Sequence, residues 1–300
     1  MTDGLFGDTS NTLDLSEFPV HEQKAFYGAL FAMAAADDEV DRSEMELIFE
    51  TLDIAHLDER DQREIHSYVI TPPSFDDCLE ALSDTNKVLR HSLMLNLVEV
   101  VIADDVMEDQ EVAFLRSAEE KLGVTDEQVG EMMEFAKEVK RIRERGIDDE
   151  HAADALKRAT AGLTGVGVPI AAVSFSGSVV GLSAAGITSG LAALGLGLGM
   201  VSGIGVAIAV GAGIYAGLNK VLDTGNKKKK TKLQKERQRK AQLAIQNLQQ
   251  TISTLIDRLQ GLQETAADAE ANKEAIQMLN GRLRKLKGLL SRREKEVSPA

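Results

Sequence analysis

"AAADDEVDRSE", residues 34–44, and "IADDVMEDQE", residues 102–111, are the two phrases on which the reading of this chain turns. Each closes a long apolar run, "HEQKAFYGALFAMAAADD" in the first case and "VLRHSLMLNLVEVVIADD" in the second. A shift of 67 residues lays Ala36-Asp37-Asp38 on Ala103-Asp104-Asp105, Asp41 on Glu108 and Glu44 on Glu111. The register continues without a gap for about 40 residues, setting Ile48 on Leu115, Leu57 on Val124 and Ile65 on Met132. Such a repeat is one supersecondary unit written twice, and neither copy can bury its apolar face alone.

The unit is helical. Phe26, Leu30 and Met33, and again Leu93, Leu97 and Val100, follow the three-and-four spacing of one helix face. "MELIFETLDI", "RDQREIHSYVI" and "DEQVGEMMEFAKEVKRI" add amphipathic helices, and Pro72 and Pro73 in "TPPSF" enforce a break. Residues 15–145 are predicted to form an all-α domain in which two copies pack with approximate twofold symmetry. Composition agrees, since Trp is absent and only 4% of residues are aromatic. The single cysteine, Cys78, excludes an internal disulfide or a cysteine-based zinc site, and an ordinary buried or half-buried thiol is expected. The N-terminal "MTDGLFGDTSNTLDLSE" is acidic without an apolar core, so a cytosolic domain is expected rather than a signal peptide.

Charge divides the chain into three environments. Residues 1–158 carry 39 Asp and Glu against 15 Lys and Arg; residues 159–219 carry no charge; residues 227–300 carry 18 Lys and Arg against 8 Asp and Glu. After a linker at 146–158, the 61 uncharged residues have room for two spanning helices of about 20 residues, roughly 163–183 and 191–218. Lys157 and Arg158 precede the run, and Lys220 and "KKKKTKLQKERQRK" follow it, so the positive-inside rule puts both ends in the cytosol. A transmembrane hairpin satisfies that condition and a single span does not.

Fifteen of the 25 glycines lie in this run, and many are four residues apart: Gly177 and Gly181, Gly186 and Gly190, Gly195, Gly199 and Gly203, Gly213 and Gly217. Four-residue spacing makes a smooth helix stripe that lets helices approach closely. It serves close packing within one hairpin, or self-association into an oligomer or pore. Gly and Ala are only weakly hydrophobic, so packing against protein rather than lipid is a third solution.

A basic juxtamembrane segment, residues 220–240, contains Lys227, Lys228, Lys229, Lys230 and Lys232, which suit anionic lipid headgroups. Nucleic acid is not expected, because aromatics for base stacking are missing there and the first domain is acidic. Over 241–297, Ile245, Leu248, Ile252, Leu255, Leu259, Leu262 and Ala266 form a coiled-coil seam, and Ile276, Leu279, Leu283, Leu286 and Leu290 form a second. The phase slips around "QETAADAEANKEA", which an antiparallel hairpin or a discontinuity in one long helix would absorb; the hairpin is favoured. Such helices point to a homo-oligomer or a coiled-coil partner.

The acidic phrases admit two readings. Asp41 and Glu44 fit a helix N-cap with a carboxylate at the third helical position. Glu108 is a poorer cap residue, and capping leaves Asp37, Asp38, Asp104 and Asp105 unexplained. Carboxylates so closely spaced can supply hard oxygen ligands to a divalent cation, Ca²⁺ or Mg²⁺. The phrase is not an EF-hand: counting from Asp37, position 6 is Arg42 and position 12 is Ile48.

These paired phrases, each after an apolar helix and before amphipathic helices, resemble the TerB-like, tellurite-resistance-associated domain, over about residues 20–145. The resemblance implies an all-α fold, a stress-response or defence setting, and metal binding by acidic residues matching Asp37, Asp41 and Glu44, then Asp104, Glu108 and Glu111. Asp38 and Asp105 stand where the family pattern has Gly.

No Walker loop, HExxH motif or nucleophile elbow is present. The five histidines are scattered and expected to be mostly surface or half-buried; His91 lies about 20 Å before Asp104 on one helix. The sequence reads as a non-enzymatic sensor or adaptor at a bacterial inner membrane, with its N- and C-terminal parts in the cytoplasm. Its rivals are a pore-forming effector built on the hairpin, and a soluble helical scaffold.

Overall fold

The computed structural model describes residues 14–36, 42–103, 107–145, 158–173, 227–264 and 271–297. Every regular element among them is helical. After a 3-10 turn at Leu15–Glu17 come α1 (Val20–Met33), α2 (Arg42–Thr51), α3 (Glu59–Ser67), α4 (Phe75–Ser83), α5 (Lys87–Ile102), α6 (Asp109–Leu122) and α7 (Asp126–Arg145). Residues 158–165 are helical, followed by the single turn α8 (Ile170–Val173). The C-terminal part is two long helices, α9 (Lys227–Glu264) and α10 (Ala271–Val297).

The two apolar runs become α1 and α5, which pack on each other at the centre. The spacing of Phe26, Leu30 and Met33 marks one face, but the structure buries the others too: Ala25 to Ala34 are all buried, as are His91 to Ile102. A helix apolar all round belongs inside a core, with neighbours on every side. Around this pair lie α2, α3 and α4 against α1, and α2, α6 and α7 against α5. The closest approach is between α1 and α4. A Cβ on Gly28 would stand 2.6 Å from Pro73 Cγ and 2.9 Å from Cys78 Sγ, so only glycine fits there. Phe75 of α4 stacks on Phe114 of α6, with ring centroids 4.3 Å apart.

Helix starts follow the offset read in the sequence. Val20 and Lys87, Arg42 and Asp109, and Glu59 and Asp126 open three helix pairs, each 67 residues apart. Local chemistry repeats as well. Asp58 accepts the Asp61 N–H at 2.8 Å, and at the matching position the Thr125 hydroxyl accepts the Gln128 N–H at 3.3 Å. Pro72 and Pro73 lie in the non-helical link between α3 and α4, where a break was expected.

The C-terminal helices differ from expectation in their partner. α9 and α10 form an antiparallel pair, with Gln249 of one near Glu294 of the other. This pair also lies along α2 and α3 of the N-terminal domain, with Leu248, Ile252, Leu255, Leu259, Leu279, Leu286 and Leu289 in one continuous core with it. The seams were read as facing a coiled-coil partner alone. The physical reason for the difference is a second buried stripe on α9, Ala244, Asn247 and Thr251, which faces the domain.

Candidate functional site

Of the acidic residues singled out, Asp37, Asp38, Asp41, Asp104 and Asp105 lie outside the described residues. Glu108, Glu44 and Glu111 can be placed. Glu108 is the N-cap of α6 in a capping box, and its backbone N–H donates to Glu111 Oε2 at 2.9 Å. The second phrase therefore begins a capped helix, although Glu108 looked a poor cap. Its backbone is extended, and the long Glu111 side chain reaches back to complete the box. Glu44 and Glu111 occupy matching positions and are equally buried, each 4% exposed. Among the described residues no three His, Cys, Asp or Glu side chains converge as a ligand set.

What the structure does bring together is a polar interface between the first repeat and the C-terminal hairpin. His66 of α3 is 2% exposed and sits against α9. Its Nε2 lies 2.6 Å from Gln250 Oε1 and its Nδ1 lies 2.8 Å from Thr251 Oγ1. An amide oxygen only accepts, so Nε2 carries the proton and Nδ1 accepts from the Thr251 hydroxyl. Burial pushes the imidazole below its ordinary range, the Gln250 bond opposing in part. Asn247 Nδ2 donates to the Leu52 carbonyl at 2.8 Å, just past the end of α2. Arg282 of α10 donates to the Val69 carbonyl and, at 2.9 Å, to the Ile70 carbonyl beyond α3. Glu46 of α2 is held by Arg293 at 2.8 Å and Arg292 at 3.5 Å.

Helix C-termini leave carbonyls without intrahelical partners, and cationic or amide donors satisfy them. The second repeat does this from within: Arg90 Nη1 donates to the Leu122 carbonyl at 2.8 Å, and Lys140 Nζ to the Ile102 carbonyl at 2.7 Å. At the matching positions the first repeat has Gln23 and Pro73. Gln23 is turned to the Phe18 carbonyl and to His56, and proline has no donor. The hairpin supplies what they do not.

The start of the uncharged run is also placed. Thr160, Leu163, Val168, Ala172 and Val173 are buried, and α8 packs on α5. Gln128 Nε2 donates to the Val166 carbonyl at 2.9 Å, and Lys87 Nζ to the Gly167 carbonyl at 3.0 Å. Gly167 adopts φ 78°, a conformation open to glycine. The stretch from 159 to 173 is thus folded on protein, and the first span drawn from residue 163 begins in packed chain. No helix among the described residues is long and apolar enough to cross a membrane. Gly177, Gly181, Gly195, Gly199, Gly203, Gly213 and Gly217 lie outside the described residues. Lys227, Lys228, Lys229, Lys230 and Lys232 belong to the opening turns of α9, where the backbone alone is described.

Two of the five histidines, His66 and His91, are buried rather than at the surface. His91 bonds to the Lys87 carbonyl at 2.8 Å and to Gln128 Oε1 at 3.3 Å, and burial lowers its pKa. Sequence reading passed over His66, Asn247, Thr251 and Arg282, because a polar residue between apolar ones reads as solvated. The available signal was the pair Asn247 and Thr251, four apart on one helix face beside an apolar seam. Cys78 is buried, as expected, and burial pushes its thiol up to about 12. Compared with known proteins, the chain matches no family model, no curated protein and no solved structure.

Proposed function

We propose that this chain is a non-enzymatic sensor or adaptor of a bacterial stress or defence response, held at the inner membrane by a hairpin within residues 174–219. One observation supports the reading above others. The chain leaves the folded body at Val173, packed near α5, and rejoins it through α9, packed on α2 and α3. What lies between contains 46 consecutive uncharged residues, 174–219, followed by Lys220 and the basic opening of α9. Two spans of about 20 residues and a turn need that length, and a return to the same body needs an even number of spans. The basic stretch suits anionic headgroups at the exit. The TerB-like reading of the helical domain, as a duplicated unit, draws support from the helix starts repeated at 67 residues.

The test is fractionation of the full chain and of a chain lacking residues 174–219. The full chain is expected to sediment with membranes through a high-salt and alkaline wash and to need detergent, and the shortened chain to stay in the supernatant. A full chain that stays soluble without detergent sinks the membrane anchor. It would favour the second reading, a helical scaffold, which has its own support: the first fifteen residues of the uncharged run pack at least in part on protein.

A further inference from the structure

We propose that the α9–α10 hairpin is a clamp on the first repeat that acid releases through His66. The argument begins with where the interface is polar. Its apolar seam is closed by three sets of directed bonds: Asn247 on the Leu52 carbonyl, Arg282 on the Val69 and Ile70 carbonyls, and the His66 bridge to Gln250 and Thr251. The arginine and asparagine do not change charge between about pH 5 and 8, and an unperturbed imidazole does.

A second proton on His66 has nowhere favourable to go. Nδ1 accepts from Thr251, so protonation sets two donors against each other and puts a charge at a site 2% exposed. The neighbouring charges are committed elsewhere. On α3, Asp61 and Glu64 are both bonded to Lys24 of α1, at 3.1 and 2.6 Å, and Arg63 pairs with Glu59. On α2, Glu46 is taken by Arg292 and Arg293 of α10, and on α10 Arg282 is on its carbonyls. On α9, Asp257 and Arg258 are exposed. Undocking of the hairpin restores water to the ring and accommodates the proton. The sign follows: His66 binds its proton more weakly when docked, so docking is fully favoured above an imidazole's ordinary range and weakens as pH falls through it.

Release would be selective. The second repeat caps its own helices through Arg90 and Lys140, whereas the first depends on the hairpin. The proposal is independent of how residues 174–219 are disposed.

The experiment is hydrogen exchange on the full chain at about pH 7.5 and about pH 5.5, corrected for intrinsic rates. Peptides covering 47–52, 65–70, 244–259 and 279–289 are expected to lose protection at the lower pH, by up to roughly tenfold, the limit set by one unit below an imidazole value of about 6.5. Peptides within α5 should hold. His66→Gln should give pH-independent protection of the hairpin, and His91→Gln should leave the acid response of the hairpin intact. Equal protection at both pH values in the parent chain overturns the proposal, as does an unchanged acid response in His66→Gln. Should His66→Gln fail to dock at the higher pH, NMR titration of the parent imidazole decides. A midpoint coincident with release supports the clamp, and an imidazole that titrates while the hairpin stays protected overturns it.

Discussion

Gly28 shows how a single residue can fix a helix crossing without announcing itself in the sequence. In "KAFYGALFAM" it looks like a mild defect in a helix, yet a Cβ there would lie 2.6 Å from the Pro73 ring. Gly28→Ala should gain helix propensity and lose more through overpacking, a net destabilisation of about 1–3 kcal/mol, read as a lower urea midpoint at constant m. Glu111 is a different case, because its position three residues after Glu108 was visible and its role was ambiguous. The observed bond to the Glu108 N–H assigns it to the start of α6. Glu111→Ala should cost about 1 kcal/mol and loosen the first turn of α6 in hydrogen exchange. Glu119 carries a proton effect no motif suggests. Burial, reinforced by Asp126, pushes its carboxyl from 4.5 up to about 7. A raised folded pKa favours the protonated form in the fold, so this contribution is present below about pH 4.5 and is lost as pH rises through about 7. Thermal melts across that window should show Glu119→Gln flattening the pH dependence and melting higher than the parent above pH 7.

At the scale of elements, the helices were legible and their partners were not. Apolar period and turn chemistry located α1, α5 and the break at Pro72 and Pro73, because these depend on neighbours within a few residues. The seams on α9 and α10 were legible for the same reason, and the slip between them correctly pointed to a helix that turns back. The second face of α9 was not legible, since its value lies in carbonyls nearly 200 residues away, such as Leu52. Asn247→Ala should leave that buried carbonyl unsatisfied and cost about 1–3 kcal/mol. Because α2 and α9 share the loss, differential hydrogen exchange should show both loosening together. Loosening confined to α9 would mean that the bond does not couple them.

For the whole molecule, the asymmetry between the repeats is the organising fact. Two units begin their helices in the same register, but the second has a long α7 that completes it, and the first ends α3 at Ser67 and borrows the C-terminal hairpin. A chain ending at residue 226 should therefore unfold at a lower denaturant concentration, with the loss concentrated in α2 and α3; an unchanged midpoint would show that the hairpin only rests on the domain. Helix class, repeat offset, helix caps and the uncharged stretch were all written in the order of residues, because each follows from interactions over a few positions or from composition alone. The choice of occupant for the α2–α3 face, the folding of residues 159–173 onto protein, and the burial of His66 were not. Those depend on which distant surfaces meet. A polar side chain such as His66, Asn247 or Arg282 becomes part of the core only when the fold brings a matching donor or acceptor within about 3 Å.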